Sequence, residues 1–244
     1  MKRLIHISLL LLLTLGWAQA WAATAYVQRA HTFDSGTAVS AVMGSNVTAA
    51  SSVVAAIGWY SGTITLTSVT ICGTTATLYH NPTTNFLRMA LAKVDNVSSG
   101  ACTVTANFSA SALAFVTAHE VSGTNTTNSN DGNAANTQAA PGTGTDAVTS
   151  TSITTTTNGA YIFGASMGTN VGSAINAGTG FTLREQAAAG FTTEDLVQTS
   201  AGSIAATFTN TNAGEYNISM VMALKEAGGA AAAPNNLMLL GVGQ

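Results

Sequence analysis

Residues 102–108 read Cys102-Thr103-Val104-Thr105-Ala106-Asn107-Phe108, apolar at the even positions and polar at the odd ones. A period of two turns one face toward a core and the other toward water, which is the pattern of a half-buried strand. The same period returns in Ile204, Ala206 and Phe208, and again in Ile218, Met220, Met222 and Leu224 with Ser219 and Lys225 opposite. Elsewhere the chain is apolar on both faces, over 53–60, 86–94, 112–121 and 160–167. Such runs are expected of central strands covered on both sides. Gly- and Asn-rich breaks over 96–100, 123–136, 168–180 and 210–214 separate them. Helical periodicity is nearly absent, and the abundant Thr and Val side chains pack better on a pleated sheet than on a helix. About a dozen short strands over roughly 200 residues predict an all-β fold. The expected architecture is a two-sheet antiparallel β-sandwich, jelly-roll-like, over residues 24–227. No fixed period of about 20–50 residues marks a solenoid.

Composition narrows the function. Only 7% of the 244 residues are charged, against about 25% in ordinary soluble domains. The hydrophobic fraction is nevertheless 46%, so Thr, Ser, Asn, Gly and Ala have replaced charge. This excludes a charged disordered tail and a coiled coil. With a net charge of −3 and no basic patch, the chain is also unsuited to nucleic acid.

Met1-Lys2-Arg3 followed by the apolar stretch 4–15 and the small-residue pairs Ala18/Ala20 and Ala20/Ala22 form an export signal over residues 1–23. The apolar stretch is short for a bilayer span of about 20 residues. The expectation is a secreted protein, extracellular or at a cell surface, with no membrane span in its mature form. Cys72 and Cys102 are the only cysteines. In an oxidising compartment a lone pair is expected to bridge, with two buried thiols as the alternative.

The second half carries His119-Glu120-Val121-Ser122-Gly123, then the stretch Ser152–Gly164, then Gly178-Thr179-Gly180-Phe181-Thr182-Leu183-Arg184 and Glu194-Asp195. This series resembles a jelly-roll, lectin-like (concanavalin-like) β-sandwich domain of secreted bacterial and phage surface proteins. Val121 stands where that pattern prefers an aromatic. The resemblance implies a fold and an extracellular setting, and it carries over no catalytic residues.

Several polar groups are candidates. A hairpin over 181–198 would set Arg184 nearly opposite Glu194 as a cross-strand ion pair. Glu185, Glu194 and Asp195 could instead serve as glycosidase carboxylates, but adjacent strand residues point to opposite faces. The same geometry separates His119 from Glu120, and His31, His80 and His119 are too dispersed for a metal site without convergence in the fold. Asn128-Ser129-Asn130-Asp131-Gly132-Asn133 resembles the start of a calcium loop. Asp131 is its sole carboxylate and no Glu closes it, so a polar surface loop is expected; a bound cation would borrow Asp146. Trp59 and Tyr60 could stack a sugar ring, although Trp59 shares its strand face with Val53, Ala55 and Ile57 and so reads as core. No cofactor is indicated.

After the linker-like residues 228–234 comes an apolar segment containing Leu237, Leu239, Leu240 and Val242. The segment reads either as a frayed terminus or as a strand added to an exposed sheet edge of a neighbouring subunit, which would cover its apolar side chains. The composite expectation is a non-enzymatic extracellular structural or surface-assembly protein whose partners are copies of itself or a cell-surface matrix. A carbohydrate-binding adhesion module is the alternative.

Overall fold

A computed structural model describes residues 23–139, 146–170, 174–187, 190–212 and 214–228. The leader, apart from Ala23, and the apolar tail with Leu237, Leu239, Leu240 and Val242 lie outside these residues. The described chain is all-β and antiparallel. Its first half holds β1 (Ala25–Val42), β2 (Ser52–Tyr60), β3 (Leu66–Ile71), β4 (Thr74–Thr75), β5 (Thr77–Tyr79), β6 (Thr83–Thr84), β7 (Leu87–Val94) and β8 (Thr103–Ser122). The second holds β9 (Asn130–Gln138), β10 (Asp146–Thr149), β11 (Ile153–Thr154), β12 (Ala160–Gly168), β13 (Ile175–Ala177), β14 (Thr182–Ala187), β15 (Phe191–Gln198), β16 (Ser203–Ile204), β17 (Thr207–Asn210) and β18 (Asn217–Leu224). Twelve of these eighteen strands have four or more residues, in keeping with the expected dozen.

The two halves repeat one topology. Across the first sheet the order is β1, β8, β2, β7, β5; across the second it is β9, β18, β12, β15, β14. In both, the first strand of the half pairs with its last, and its second long strand lies between the last strand and the long strand before it (β7 and β15). The likeness extends to small elements. The isolated bridge Val47–Gly100 corresponds to the β11–β16 pair, and β3 beside β8 corresponds to β13 beside β17. The long bent strands β1 and β8 correspond to the broken pairs β9/β10 and β17/β18. Gly123 and Gly228, with φ of 70° and 75°, end the two halves in the left-handed conformation that glycine adopts freely.

Three apolar layers follow from this arrangement. In the first half β1 and β8 bend, and their outer portions fold with β3 over β2 and β7 around Val53, Ile57, Trp59, Ile71 and Val104. In the second half β10, β13 and β17 cover the outer face of β12 and β18 around Ile162, Phe208 and Val221. Between the halves lies a shared core of Val54, Phe115, Tyr161, Phe163, Met167, Phe191 and Met220. Here β12 packs on β2, β18 on β7, and Phe115 of β8 stacks on Phe191 of β15 at 5.1 Å. Equivalent faces therefore meet, as in an isologous dimer, but within one chain. Gly58 permits the approach: a Cβ there would stand 2.7 Å from Met167 Sδ and 2.9 Å from the Phe191 ring. The strands read as central from their unbroken apolar runs (β2, β7, the C-terminal part of β8, and β12) are buried on both faces. The Cys72 and Cys102 sulfurs are at disulfide bonding distance, which ties the β3–β4 turn to the start of β8.

Candidate functional site

The polar groups of the second half converge where β1 and β14, the edge strands of the two large sheets, lie one above the other. Their placement starts from a bulge. In the β14–β15 pair Leu183 is opposite Glu194 and Thr182 opposite Asp195, and the register shifts between Leu183 and Glu185. The extra residue, Arg184, is thrown out of alternation onto the face that carries Asp195. Its Nε donates to Asp195 Oδ2 at 2.6 Å and its Nη2 to Oδ1 at 3.1 Å. The predicted Arg184–Glu194 ion pair is thus corrected to Arg184–Asp195.

Asp195 is 4% exposed and continues the network inward. The Tyr161 hydroxyl donates to Asp195 Oδ2 at 2.8 Å and lies 2.9 Å from His119 Nδ1; His119 Nε2 is 3.0 Å from Thr193 Oγ1. Above the ion pair, the Arg184 guanidinium stacks on the Tyr26 ring at 3.8 Å, and Arg29 pairs with Glu185. Tyr26 and Arg29 belong to β1, so this network fixes β1 against the second sheet. Complete burial, with smaller contributions from the Arg184 and Arg29 charges, holds His119 down to about 3. The imidazole is neutral at ordinary pH and sealed from solvent. That environment suits a fixed hydrogen-bonding strut rather than proton exchange with a substrate.

Glu194 points the opposite way, as neighbouring strand residues must. Its oxygens accept from the Gly178 N–H at 2.9 Å and the Thr207 N–H at 3.2 Å, joining β15 to the outer layer. Burial pushes its carboxyl up to about 8 in spite of those bonds. Glu120 likewise faces away from His119 and accepts from Gln28 Nε2 and the Thr48 N–H, each at 2.7 Å. No carboxylate pair of the glycosidase kind results from Glu185, Glu194 and Asp195: the three are held by Arg29, by two backbone amides and by Arg184 respectively.

Trp59 is core, as its strand face implies: it is fully buried, packs on Phe108 and donates its indole N–H to the Ile64 carbonyl, so it cannot stack on a ligand. Tyr60 is half-buried at the shared core and donates to the Gly168 carbonyl. Asp131 is no cation ligand, because the amides and hydroxyls of Thr156 and Thr157 occupy its carboxylate oxygens. Asp146 stands opposite Asn210 on another sheet. Among the described residues no three His, Cys, Asp or Glu side chains gather as metal ligands. Tyr161, Thr193 and Tyr26 were not foreseen. The one signal for Tyr161 was a hydroxyl within an apolar run, which needs a partner once buried.

The edges themselves differ. β1 runs 18 residues and, among the described residues, pairs along one side only, with β8. Val27 and Phe33 on it are 42% and 39% exposed. The opposite side of the molecule is blunted by the three- and two-residue strands β5 and β6 and by Pro82. Thr151 Oγ1 there bonds the Ala135 carbonyl of β9. Short strands, proline and capped carbonyls are the usual defences of a sheet edge, and β1 lacks them between the register shifts at Tyr26/Gln28 and Gly36/Ala38. No protein family, no curated protein and no solved structure matches this chain.

Proposed function

We propose that the chain is an exported, non-enzymatic structural module that associates with further copies of itself at a surface, through the open edge of β1 and the apolar segment after Gly228. The long one-sided edge of β1 carries this reading. The duplicated topology adds to it. By analogy with β9, which follows Gly123 and pairs with β18, a segment following Gly228 would belong beside β8. That position is taken by β1 of the same chain. Residues 229–236 reach up to about 28 Å when extended, so the Leu237–Val242 segment can meet β1 of a neighbouring copy. Main-chain pairing would supply affinity, and burial of its large side chains on the order of 1.5–3 kcal/mol each. The export signal, the low charge and the resemblance to surface-protein domains favour an extracellular setting.

Sedimentation velocity on residues 24–244, on a chain ending at Gly228, and on Val27→Lys tests this. The full chain is expected to associate, and both variants to be largely monomeric with unchanged melting temperature. A monomeric full chain at high concentration overturns the proposal. So does a lower melting temperature on truncation, which would place the segment on its own domain.

A further inference from the structure

A second feature lies two strands across the first sheet from His119, where Lys93 of β7 and His119 of β8 flank Val54 of β2. A cavity of about 550 Å³ opens between the β3–β4 turn, β5, the loop after β7 and residues 126–128. Its floor is ionic but closed. Lys93, 4% exposed, pairs with Asp95 and donates to Ser129 Oγ at 3.0 Å. Asp95 also accepts from Ser52 Oγ at 2.8 Å, Ser129 Oγ at 2.5 Å and the Ser129 N–H at 3.2 Å. Each carboxylate oxygen thus has two donors. The floor presents no uncompensated charge to a phosphate, a carboxylate or a metal ion.

The walls are neutral hydroxyls and amides. Thr74, Thr77, Asn96, Thr127 and Asn128 are exposed around the opening, and Tyr79, half-buried against the shared core, borders it. These walls are also held in place. The sulfurs of Cys72 and Cys102 anchor the β3–β4 turn, Asn125 Oδ1 accepts from the Thr127 and Asn128 N–H groups, and Ser129 fastens the same loop to Asp95. A fixed concave site lined by neutral donors and acceptors, with its one ion pair internally compensated, complements a ligand that is uncharged and rich in hydroxyls. From this geometry we infer a binding site for a neutral saccharide of one or two rings, independent of the β1 edge.

Saturation-transfer NMR with maltose, cellobiose, lactose, mannobiose and chitobiose on the mature protein tests this, each sugar at about 20 mM against dissociation constants on the order of a millimolar. At least one disaccharide is expected to give transfer signals. Asn96→Gly, which keeps the left-handed backbone there, and Thr127→Val should each weaken binding about fivefold, the equivalent of one neutral hydrogen bond. Melting temperatures serve as the fold control. Absence of signal for all five sugars overturns the inference, and so does binding that neither substitution changes.

Discussion

Replacing Glu194 with Gln should flatten one limb of the stability–pH curve. Burial raises the Glu194 carboxyl from its ordinary 4.5 to about 8. Between those values the folded chain keeps a proton that the unfolded chain has lost. The stabilisation is complete below about pH 4.5 and is lost as pH rises to 8, amounting to about 4–5 kcal/mol at 1.36 kcal/mol per unit. His119 acts in the opposite sense. Its folded value is about 3 against 6.5, so stability is complete above 6.5 and is lost as pH falls toward 3. The two slopes cancel between roughly pH 4.5 and 6.5, leaving a plateau that declines on both sides. In Glu194→Gln only the His119 limb remains, so stability should rise to about pH 6.5 and then stay level. The amide cannot accept from both Gly178 and Thr207, which costs about 1–3 kcal/mol at every pH. The informative quantity is therefore the difference between the two curves. Urea unfolding followed by circular dichroism at about pH 5, 6.5 and 8, without reductant, reads it. With an m-value of about 2 kcal/mol/M, the gap between the midpoints should change by about 2 M from pH 5 to 8. Parallel profiles for the two proteins would refute a protonated, buried Glu194.

Tyr161→Phe removes the hydroxyl shared by Asp195 and His119 and should cost about 1–3 kcal/mol in urea unfolding; a loss under about 0.5 kcal/mol would show that this network does not brace the two halves. Mass spectrometry of exported protein should find an N-terminus between Trp21 and Thr24 and no alkylatable thiol before reduction; retained Met1 or two reactive thiols would contradict export by cleavage or the Cys72–Cys102 bond. Reducing that bond should lower stability by about 3–4 kcal/mol on the chain-entropy account. A circular permutant opened between Thr126 and Thr127, with Gly228 joined to Thr24 by about six residues, should fold with an unchanged far-ultraviolet spectrum. Gly228 and Thr24 occupy the places that Gly123 and Ser129 hold in the other half, and Thr24 bonds the Gly159 carbonyl much as Ser129 approaches Ser52. A collapsed or insoluble permutant would argue against the twofold equivalence.

The sequence by itself determined the class of fold and which strands are central. Side-chain alternation and all-apolar runs report directly how many faces of a strand are buried, a local property of each segment. It also paired the only two cysteines, and it set Glu194 and Asp195, like His119 and Glu120, on opposite faces, because strand geometry fixes that wherever the strand lies. The partner of Arg184 was decided elsewhere. One bulge residue after Leu183 transferred the guanidinium from Glu194 to Asp195, and bulges leave little trace in composition. The duplication was equally hidden. Its sequence residue is slight (Ser98-Ser99-Gly100 beside Ser200-Ala201-Gly202, with Phe108 and Phe208 following), because packing requires only apolar volume at equivalent positions, not identity. Asp131 became a turn brace, and the neutral cavity over Lys93 and Asp95 came together from four separated segments. Such sites depend on long-range strand order, which no stretch of the chain encodes alone, so only the tertiary structure could place them.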